Sequence, residues 1–225
     1  MGLIREGKAA NGTAIFALEQ TKGKGQMGKI WQSDPGENII LSVIAGFEEV
    51  NIQHPFLVSA AAALSCYELF SKYAGEETTI KWPNDIFWRD RKAGGILIET
   101  VKRNNRLEKA IIGMGINVNQ TSFEQLDKKA VSLKQISGKT LDPLLLANDL
   151  CILLDKRIKE IEGENQKTLI EEYNRRLFKK NQLVKFKKNQ VVFEAKIIGV
   201  DKNGELEIER GIVEKHPHGS IEWIL

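Results

Sequence analysis

The 225-residue sequence contains only two cysteines, no long apolar run and no strong excess of either charge. Cys66 and Cys151 are far apart, and no histidine or further cysteine stands near either one at metal-ligand spacing. A zinc site or a disulfide framework is therefore not predicted. Both cysteines fall in apolar helical patterns, so we expect two buried free thiols.

Features of a membrane, exported or nucleic-acid-binding protein are also missing. A bilayer-spanning helix needs about 20 apolar residues, and the longest candidate, 56–64, is about half as long. The first residues lack the regions of a signal peptide. A net charge of +3, from 33 basic and 30 acidic residues, is a small excess for a nucleic-acid binder. We expect a cytoplasmic globular protein with no membrane contact.

Apolar periodicity predicts one main α+β body and a small β tail. Short strands are predicted at 13–18, 37–47, 78–82, 86–88, 95–101 and 110–118, forming one mixed or antiparallel sheet. Helices are predicted at 56–73, 143–161 and 169–177. Alternating strands at 183–186, 191–200 and 206–209 follow. No low-complexity linker separates the tail, so we expect it to pack on the main body.

Glycines and lysines alternate between Gln20 and Trp31, directly after a predicted strand. Three glycines within six residues permit positive φ and close backbone approach, and the lysines offer charge to an anion held by backbone N–H groups. The spacing fits neither a P-loop nor a dinucleotide-binding GxGxxG. The segment predicts an anion-binding loop, with an exposed connection as the alternative.

Two further segments carry candidate chemistry. The run Lys81-Trp82-Pro83-Asn84-Asp85 places a cation and a carboxylate on one turn, and Lys92 follows beside Gly94-Gly95. A turn with solvent-facing charges is the alternative, and Trp82 is expected in the core. The strand 111–119 is interrupted by alternating glycines, which indicates that a ligand or another backbone passes close by, with a β-bulge as the alternative.

Together, in this order and at these separations, the segments resemble the biotin protein ligase family. The match covers the glycine-basic loop at 23–31, the KWPND motif letter for letter at 81–85, and the stretches 91–97 and 113–119. Weaker similarity runs through 130–133 into the tail. The resemblance implies a mixed β-sheet flanked by helices, related to class II aminoacyl-tRNA synthetases, over 1–178, and a small SH3-like β-barrel over 179–225.

The resemblance also implies a reaction. The biotin carboxylate attacks the α-phosphate of ATP, with Mg²⁺, to give biotinyl-AMP and pyrophosphate, and the biotinyl group then passes to a lysine of a biotin carboxyl carrier protein, such as that of acetyl-CoA carboxylase. Because two anions must meet, the site has to hold cations and N–H donors in place beforehand. A homodimer through a sheet edge is a further expectation.

Residue roles follow from the same match. Lys92, bridging the carboxylate and the α-phosphate, and Lys81 are the expected catalytic residues, and Asp85 is the expected metal ligand. The expected biotin contacts are Gln20, Gly23, Lys24, Gly25, Gln26, Lys92, Gly94 and Gly95. The expected ATP contacts are Lys24, Lys29, Trp31, Lys81, Asn84, Gly113, Gly115 and Asn117.

The sequence departs from the family pattern in two places. Many members carry arginine where this chain has Lys24, Gln26 and Lys29, and neither lysine nor glutamine reproduces a bidentate guanidinium contact. The Ser-Thr-Asn motif that usually precedes the glycine loop is missing, so an N-terminally truncated or inactive relative is one alternative. Only 22 residues precede the loop, so we expect the monofunctional type without a DNA-binding domain.

A lipoate ligase or lipoyl/octanoyl transferase is the other enzyme that this resemblance leaves open. Such enzymes share the fold and the transfer of an acyl group to lysine, but they depend on a cysteine or on a differently placed lysine. Neither Cys66 nor Cys151 lies in one of the three segments, which favours biotin ligation.

Overall fold

The centre of the protein is a six-stranded sheet. The structure is a computed structural model that describes residues 10–50, 52–104, 106–123, 130–162 and 166–224. The strands of the sheet are β1 (Ala14–Phe16), β2 (Asn38–Gly46), β3 (Thr78–Lys81), β4 (Asp85–Trp88), β5 (Arg91–Arg103) and β6 (Arg106–Asn117). They lie in the order β1-β2-β6-β5-β4-β3.

All neighbouring strands of this sheet are antiparallel. Of the two arrangements that the residue pattern predicted, the antiparallel one is observed, and the mixed sheet implied by the family resemblance was wrong. Short turns join β3 to β4, β4 to β5 and β5 to β6, and such turns can only connect antiparallel neighbours. Within the described ranges, parallel pairing is confined to isolated bridges of Ile80 with Leu177 and of Lys92 with Ala130.

Among the described residues, four α-helices accompany the sheet: α1 (Phe56–Ala74), α2 (Leu133–Ser137), α3 (Pro143–Glu162) and α4 (Gln166–Arg175). Helix α1 is buried almost all round because it packs on the sheet while α3 and α4 cover its other side. It ends at Gly75, whose φ is +75°. The helices expected at 56–73, 143–161 and 169–177 are confirmed, whereas the five-residue α2 was not predicted. None of the described helices has the length and apolar content of a bilayer span.

Side-chain alternation gives the sheet two different faces. Ile39 and Leu41 of β2, and Ile112, Met114 and Ile116 of β6, join the hydrophobic core beneath the helices. The intervening residues of the same strands therefore point to the opposite face. That face carries several small residues, and the site lies there.

The C-terminal part is a five-stranded antiparallel sheet of β7 (Leu183–Lys188), β8 (Val191–Val200), β9 (Leu206–Arg210), β10 (Ile212–His216) and β11 (Glu222–Ile224). The strand order is β10-β9-β8-β7-β11, so β10 and β11 are its two edges. The first three strands were predicted, but β10 and β11 were missed. Neither follows a long apolar alternation in the sequence.

This C-terminal sheet packs on the main body, as expected. The Trp82 indole donates from Nε1 to the carbonyl of Gly204 at 2.9 Å, and the Asn174 side chain binds both the N–H and the carbonyl of Val200. The Phe178 ring lies 5.1 Å from Phe87 and 6.0 Å from Trp223, so one aromatic cluster joins the two sheets.

The two cysteines differ in burial. Cys66 is fully buried on α1, and burial raises the pKa of its thiol well above the ordinary value. Cys151, on α3, is only partly buried. The expectation of two buried thiols therefore holds for Cys66 alone.

Candidate active site

A cleft of about 1180 Å³ lies on the sheet face opposite α1. Alternate residues of the central strands form its floor: Ser42, Gly95, Leu97, Gly113 and Gly115. The glycine-basic loop, the turn at 82–84 and residues of the C-terminal sheet form its walls. The three segments selected from the sequence thus meet in one place.

The glycine-basic loop is tightly closed by its own backbone. Gly25 donates to the carbonyl of Lys29 at 2.7 Å, Lys29 to that of Gln26 at 3.0 Å, and Trp31 to that of Gly23 at 3.1 Å. A Cβ on Gly23 would collide with the Trp31 carbonyl, so glycine is required there for loop closure. Gly23 is consequently buried inside the loop and does not line the cleft.

The indole of Trp31 lies against two glycines of the floor. A Cβ on Gly115 would be 2.6 Å from Trp31 Cε2, and one on Gly95 would be 3.2 Å from Trp31 Cζ3. The glycines that interrupt β5 and β6 therefore make room for an aromatic ring. The Trp31 Nε1 donor is buried without a hydrogen-bond partner among the described residues.

Lys92 and Asp85 both line the cleft and form an ion pair, with 2.7 Å between Nζ and Oδ1. In a regular strand, Lys92 and Gly95 would face opposite sides because they are three residues apart. An irregularity in the β4–β5 pairing, where Ile86 opposes Gly94 but Phe87 opposes Lys92, brings both to the cleft. Gly94 does not line the cleft, since a Cβ there would be 2.9 Å from the Gly115 carbonyl.

Lys81 lies directly opposite Asp85 in the β3–β4 register. Its ammonium is 5.2 Å from the Phe87 ring centroid and 5.4 Å from that of Trp223, on the last strand. Two lysines and one carboxylate, namely Lys81, Lys92 and Asp85, therefore share one wall of the cleft.

Two asparagines of the site hold backbone segments together. Asn84 donates from Nδ2 to the Ile96 carbonyl, and its own carbonyl accepts from the Ile96 N–H at 3.0 Å. Asn117 donates to the carbonyls of Val131 at 3.1 Å and Lys92 at 3.4 Å. Their side-chain amides thus fix the strand ends from which Lys92 and Asp85 project.

Most of the residues selected from the sequence do line the cleft. They are Gln20, Lys24, Gly25, Gln26, Lys29, Trp31, Lys81, Asn84, Asp85, Lys92, Gly95, Gly113, Gly115 and Asn117. Gly23 and Gly94 are near but pack against backbone, and Trp82 is buried in the core as expected.

Sequence reasoning missed the contribution of the C-terminal sheet to the cleft. The end of β7 with the turn that follows it, 187–190, and the segment 218–223 line the cleft. His218 packs edge-on against Trp82, with 5.9 Å between ring centroids. Burial lowers the pKa of His218, against the opposing effect of the Asp85 charge. The only signal in the sequence was the polar, glycine-containing run at 216–220, which by itself indicates no more than a turn.

The side chains around Asp85 can be compared with the ligands that the expected Mg²⁺ ion prefers. Among the described residues, no cluster of three or more His, Cys, Asp or Glu side chains could hold an ion by itself. Mg²⁺ is commonly held by one or two carboxylates together with substrate phosphates and water. A single carboxylate beside two lysines fits a Mg²⁺ ion that arrives with a nucleotide, and it does not fit an all-protein cage.

Comparison with known proteins gives consistent similarities. Residues 2–117 match the sequence model of the biotin/lipoate A/B protein ligase family. The bifunctional ligase/repressor BirA of Bacillus spizizenii is 34% identical over 160 residues, covering 70% of this chain and 49% of that protein. A biotin--[acetyl-CoA-carboxylase] ligase of Mycobacterium tuberculosis is 31% identical over 162 residues, covering 71% of this chain and 59% of that protein. The chain thus spans about half the length of these curated relatives.

A solved structure extends the likeness to nearly the whole chain. The biotin protein ligase from Aquifex aeolicus in complex with biotin and ATP superimposes with a TM-score of 0.82 at 24% sequence identity. The match covers 96% of this chain and 90% of that chain. At this level of identity the likeness concerns the fold, an α+β arrangement with antiparallel sheets.

Proposed function

The chain belongs to the biotin/lipoate A/B protein ligase family, and we propose that within this family it is an ATP-dependent biotin protein ligase. The observation that carries the proposal is the Lys92–Asp85 pair, at 2.7 Å, on a cleft wall shared with Lys81 and faced by the glycine-basic loop. This arrangement suits a reaction in which a carboxylate must approach a phosphate.

The proposed reaction has two steps. A carboxylate oxygen of biotin attacks the α-phosphorus of ATP, the bond to the β-phosphate oxygen breaks, and pyrophosphate leaves. The amine of a carrier lysine then attacks the acyl carbon of biotinyl-AMP, AMP leaves, and the amine loses a proton. The first step brings two anions together, so cations and N–H donors already in place lower its barrier most.

Lys92 is proposed to bridge the biotin carboxylate and the α-phosphate, exchanging its contact with Asp85 for the reacting oxygens. Lys81 supports the phosphates from the same wall. The proposed biotin contacts that line the cleft are Gln20, Lys24, Gly25, Gln26 and Gly95. The proposed nucleotide contacts are Lys29, Trp31, Asn84, Gly113, Gly115 and Asn117, of which the two asparagines act mainly by holding backbone in place.

Asp85 is the carboxylate that would hold a Mg²⁺ ion brought to the site with ATP, and the ion would supply neutralisation of charge on the phosphates. Lys92 shields the Asp85 charge until then, since the two groups are paired. The loop at 23–31 then screens the reacting atoms from water.

The finer architecture and the partners are part of the same proposal. Residues 1–178 are the catalytic domain and 179–225 an SH3-like domain, supported by the five antiparallel strands of the latter. The acceptor is a biotin carboxyl carrier protein or domain. A homodimer through the sheet edge is supported by the position of β1 at that edge, where Ile15 is 42% exposed.

Biotin-dependent exchange of pyrophosphate into ATP tests the proposal. The wild-type protein should catalyse exchange with biotin and not with lipoate. Lys92→Ala should lower the rate by about 10²- to 10³-fold, the loss typical of removing one preorganised group that stabilises developing charge. Lys72→Ala, at an exposed lysine on α1, is the matched control and should leave the rate unchanged. No exchange with biotin would disprove the proposed function, and full activity of Lys92→Ala would disprove the role of Lys92.

A further inference from the structure

We propose that Trp223, together with Phe87, is a positioning residue that holds the Lys81 ammonium at the phosphate end of the cleft. The inference rests on the proposed function and extends it, because it makes the C-terminal sheet part of the nucleotide site. We call Phe87 and Trp223 the Lys81 aromatic pair.

The first member of the pair follows from strand register. Thr79 lies opposite Phe87 in the β3–β4 ladder, and Lys81, two residues further along β3, lies on the same face as Thr79. Phe87 is therefore a diagonal neighbour of Lys81, within reach of a long side chain. The distance from Lys81 Nζ to the Phe87 centroid is 5.2 Å.

The second member comes from the far end of the chain. Trp223 lies on β11, which pairs only three residues with β7, and its ring is 5.0 Å from Phe186 and 6.0 Å from Phe178. Phe178 is in turn 5.1 Å from Phe87, so the two rings of the pair are held by a shared neighbour. Lys81 Nζ is 5.4 Å from the Trp223 centroid.

Tryptophan at position 223 buries an N–H donor, which a smaller aromatic residue would avoid. Trp223 Nε1 is buried and has no hydrogen-bond partner among the described residues, and burying such a donor is unfavourable. Phenylalanine would fill much of the same space without that N–H. Tryptophan is, however, the strongest cation–π partner, and both rings lie within the roughly 6 Å at which the attraction acts.

Two rings acting on one ammonium restrict where it can be. A lysine side chain has four rotatable bonds and loses much conformational freedom when it is ordered. Attraction to rings on two separate sheets favours rotamers that keep Nζ beside the cleft. A phosphate then meets a cation already in position, so less entropy is lost on binding than with a freely moving lysine.

The first test is equilibrium binding of α,β-methylene-ATP, which cannot be cleaved at the α–β bridge, measured by calorimetry on the full chain with biotin present. Trp223→Leu should raise the dissociation constant about 3- to 10-fold, the range expected for one lost cation–π contact. Trp223→Phe retains a ring and should recover most of the affinity. Biotin binding should change less than about twofold, since the Lys81 aromatic pair lies at the phosphate end.

Phe193→Leu is the matched control. Phe193 also packs on Phe186 in the C-terminal sheet, with 5.9 Å between centroids, but it is not among the residues lining the cleft. If Phe193→Leu weakens binding as much as Trp223→Leu does, the effect is general loosening of the sheet and the inference is wrong. In a Lys81→Met background, Trp223→Leu should have no further effect on the dissociation constant.

A spectroscopic readout tests the geometry without any ligand. In protein labelled with ¹³C-lysine, the ε-methylene signal that disappears in Lys81→Arg should be shifted upfield by the two rings, and the shift should shrink in Trp223→Leu. An unshifted signal, or an unchanged dissociation constant in Trp223→Leu, overturns the inference. These outcomes are independent of the exchange assay, so a protein that binds the analogue through Trp223 but shows no biotin-dependent exchange would refute only the proposed function.

Discussion

Gly204→Ala should be among the most destabilising single-methyl changes in this protein. Gly204 lies in the turn between β8 and β9, with φ at +84°, and its carbonyl accepts the hydrogen bond from the Trp82 indole. A Cβ at this position would be 2.5 Å from Cδ2, 2.6 Å from Cγ and 2.9 Å from Cβ of Phe56, the first residue of α1. The substitution thus strains the turn and the contact between the C-terminal sheet and the main body.

Three contributions add to the expected loss. An L-residue in the left-handed region costs about 1–2 kcal/mol, and forcing a methyl group into a packed contact costs about 1–3 kcal/mol. Shifting the turn also weakens the Trp82 hydrogen bond, worth about 1 kcal/mol. The sum is about 3–6 kcal/mol, which for a chain of this size corresponds to a fall in Tm of roughly 6–24 °C.

Gly211→Ala provides the matched control. Gly211 also has a positive φ, +80°, and lies in the next turn of the same sheet, but a Cβ there would meet nothing within 4 Å. It should cost only the backbone contribution of about 1–2 kcal/mol. Urea unfolding of both variants measures the difference. If Gly204→Ala loses no more stability than Gly211→Ala, the packing of this turn on Phe56 is not what the structure describes.

Three further predictions concern other parts of the molecule. Gly115→Ala should displace the Trp31 indole from the floor of the cleft, because the new Cβ would be 2.6 Å from Cε2 of that ring. The tryptophan fluorescence emission should shift to the red, and the shift should disappear when Trp31→Phe is added. An unchanged fluorescence spectrum would refute the prediction. Arg157→Met should lower the free energy of unfolding, measured in urea, by about 2–4 kcal/mol, because this nearly buried guanidinium donates to glutamates on α1, α3 and α4. A loss below about 1 kcal/mol would mean that these hydrogen bonds contribute little to stability. Asp201→Asn should destabilise the protein by about 1 kcal/mol at pH 7. Burial alone would raise the pKa of Asp201, but the hydrogen bonds from Lys215 and from two backbone N–H groups outweigh burial and lower the pKa. The stability advantage of the wild type over Asp201→Asn is therefore present above the ordinary carboxyl pKa and should fade as the pH falls below about 4. A stability difference that persists at pH 2 would contradict this assignment.

Local patterns in the sequence were sufficient for most of the secondary structure. Helix α1 was readable because alanines and large apolar residues recur at helical spacing and Gly75 ends the run. The strands on both sides of the cleft were readable from alternation. By contrast, β10, β11 and the short α2 were missed, since three to five residues do not establish a period. The antiparallel pairing of the whole central sheet was also established only by the structure, because the sequence pattern was compatible with mixed pairing as well.

The candidate site was predictable where its chemistry is local. The lysines, the aspartate and the glycines of the three segments were selected from the sequence, and the structure brings nearly all of them to one cleft. The sequence did not show why glycine is required at these positions. Gly95 and Gly115 leave room for the Trp31 ring, and Gly23 closes the loop against the Trp31 backbone. The contacts of Gly95 and Gly115 with Trp31 join residues that are more than 60 positions apart in the sequence.

The sequence by itself determined which side chains bring charge to the cleft, because the turn chemistry and the short segments that carry them act over a few residues. Only the tertiary structure decided that Asp85 pairs with Lys92, through an irregular strand register, and that Lys81 lies beside an aromatic ring from position 223. Such contacts depend on how separate sheets pack against each other. That packing follows from the shapes of many side chains together, and no local pattern records it.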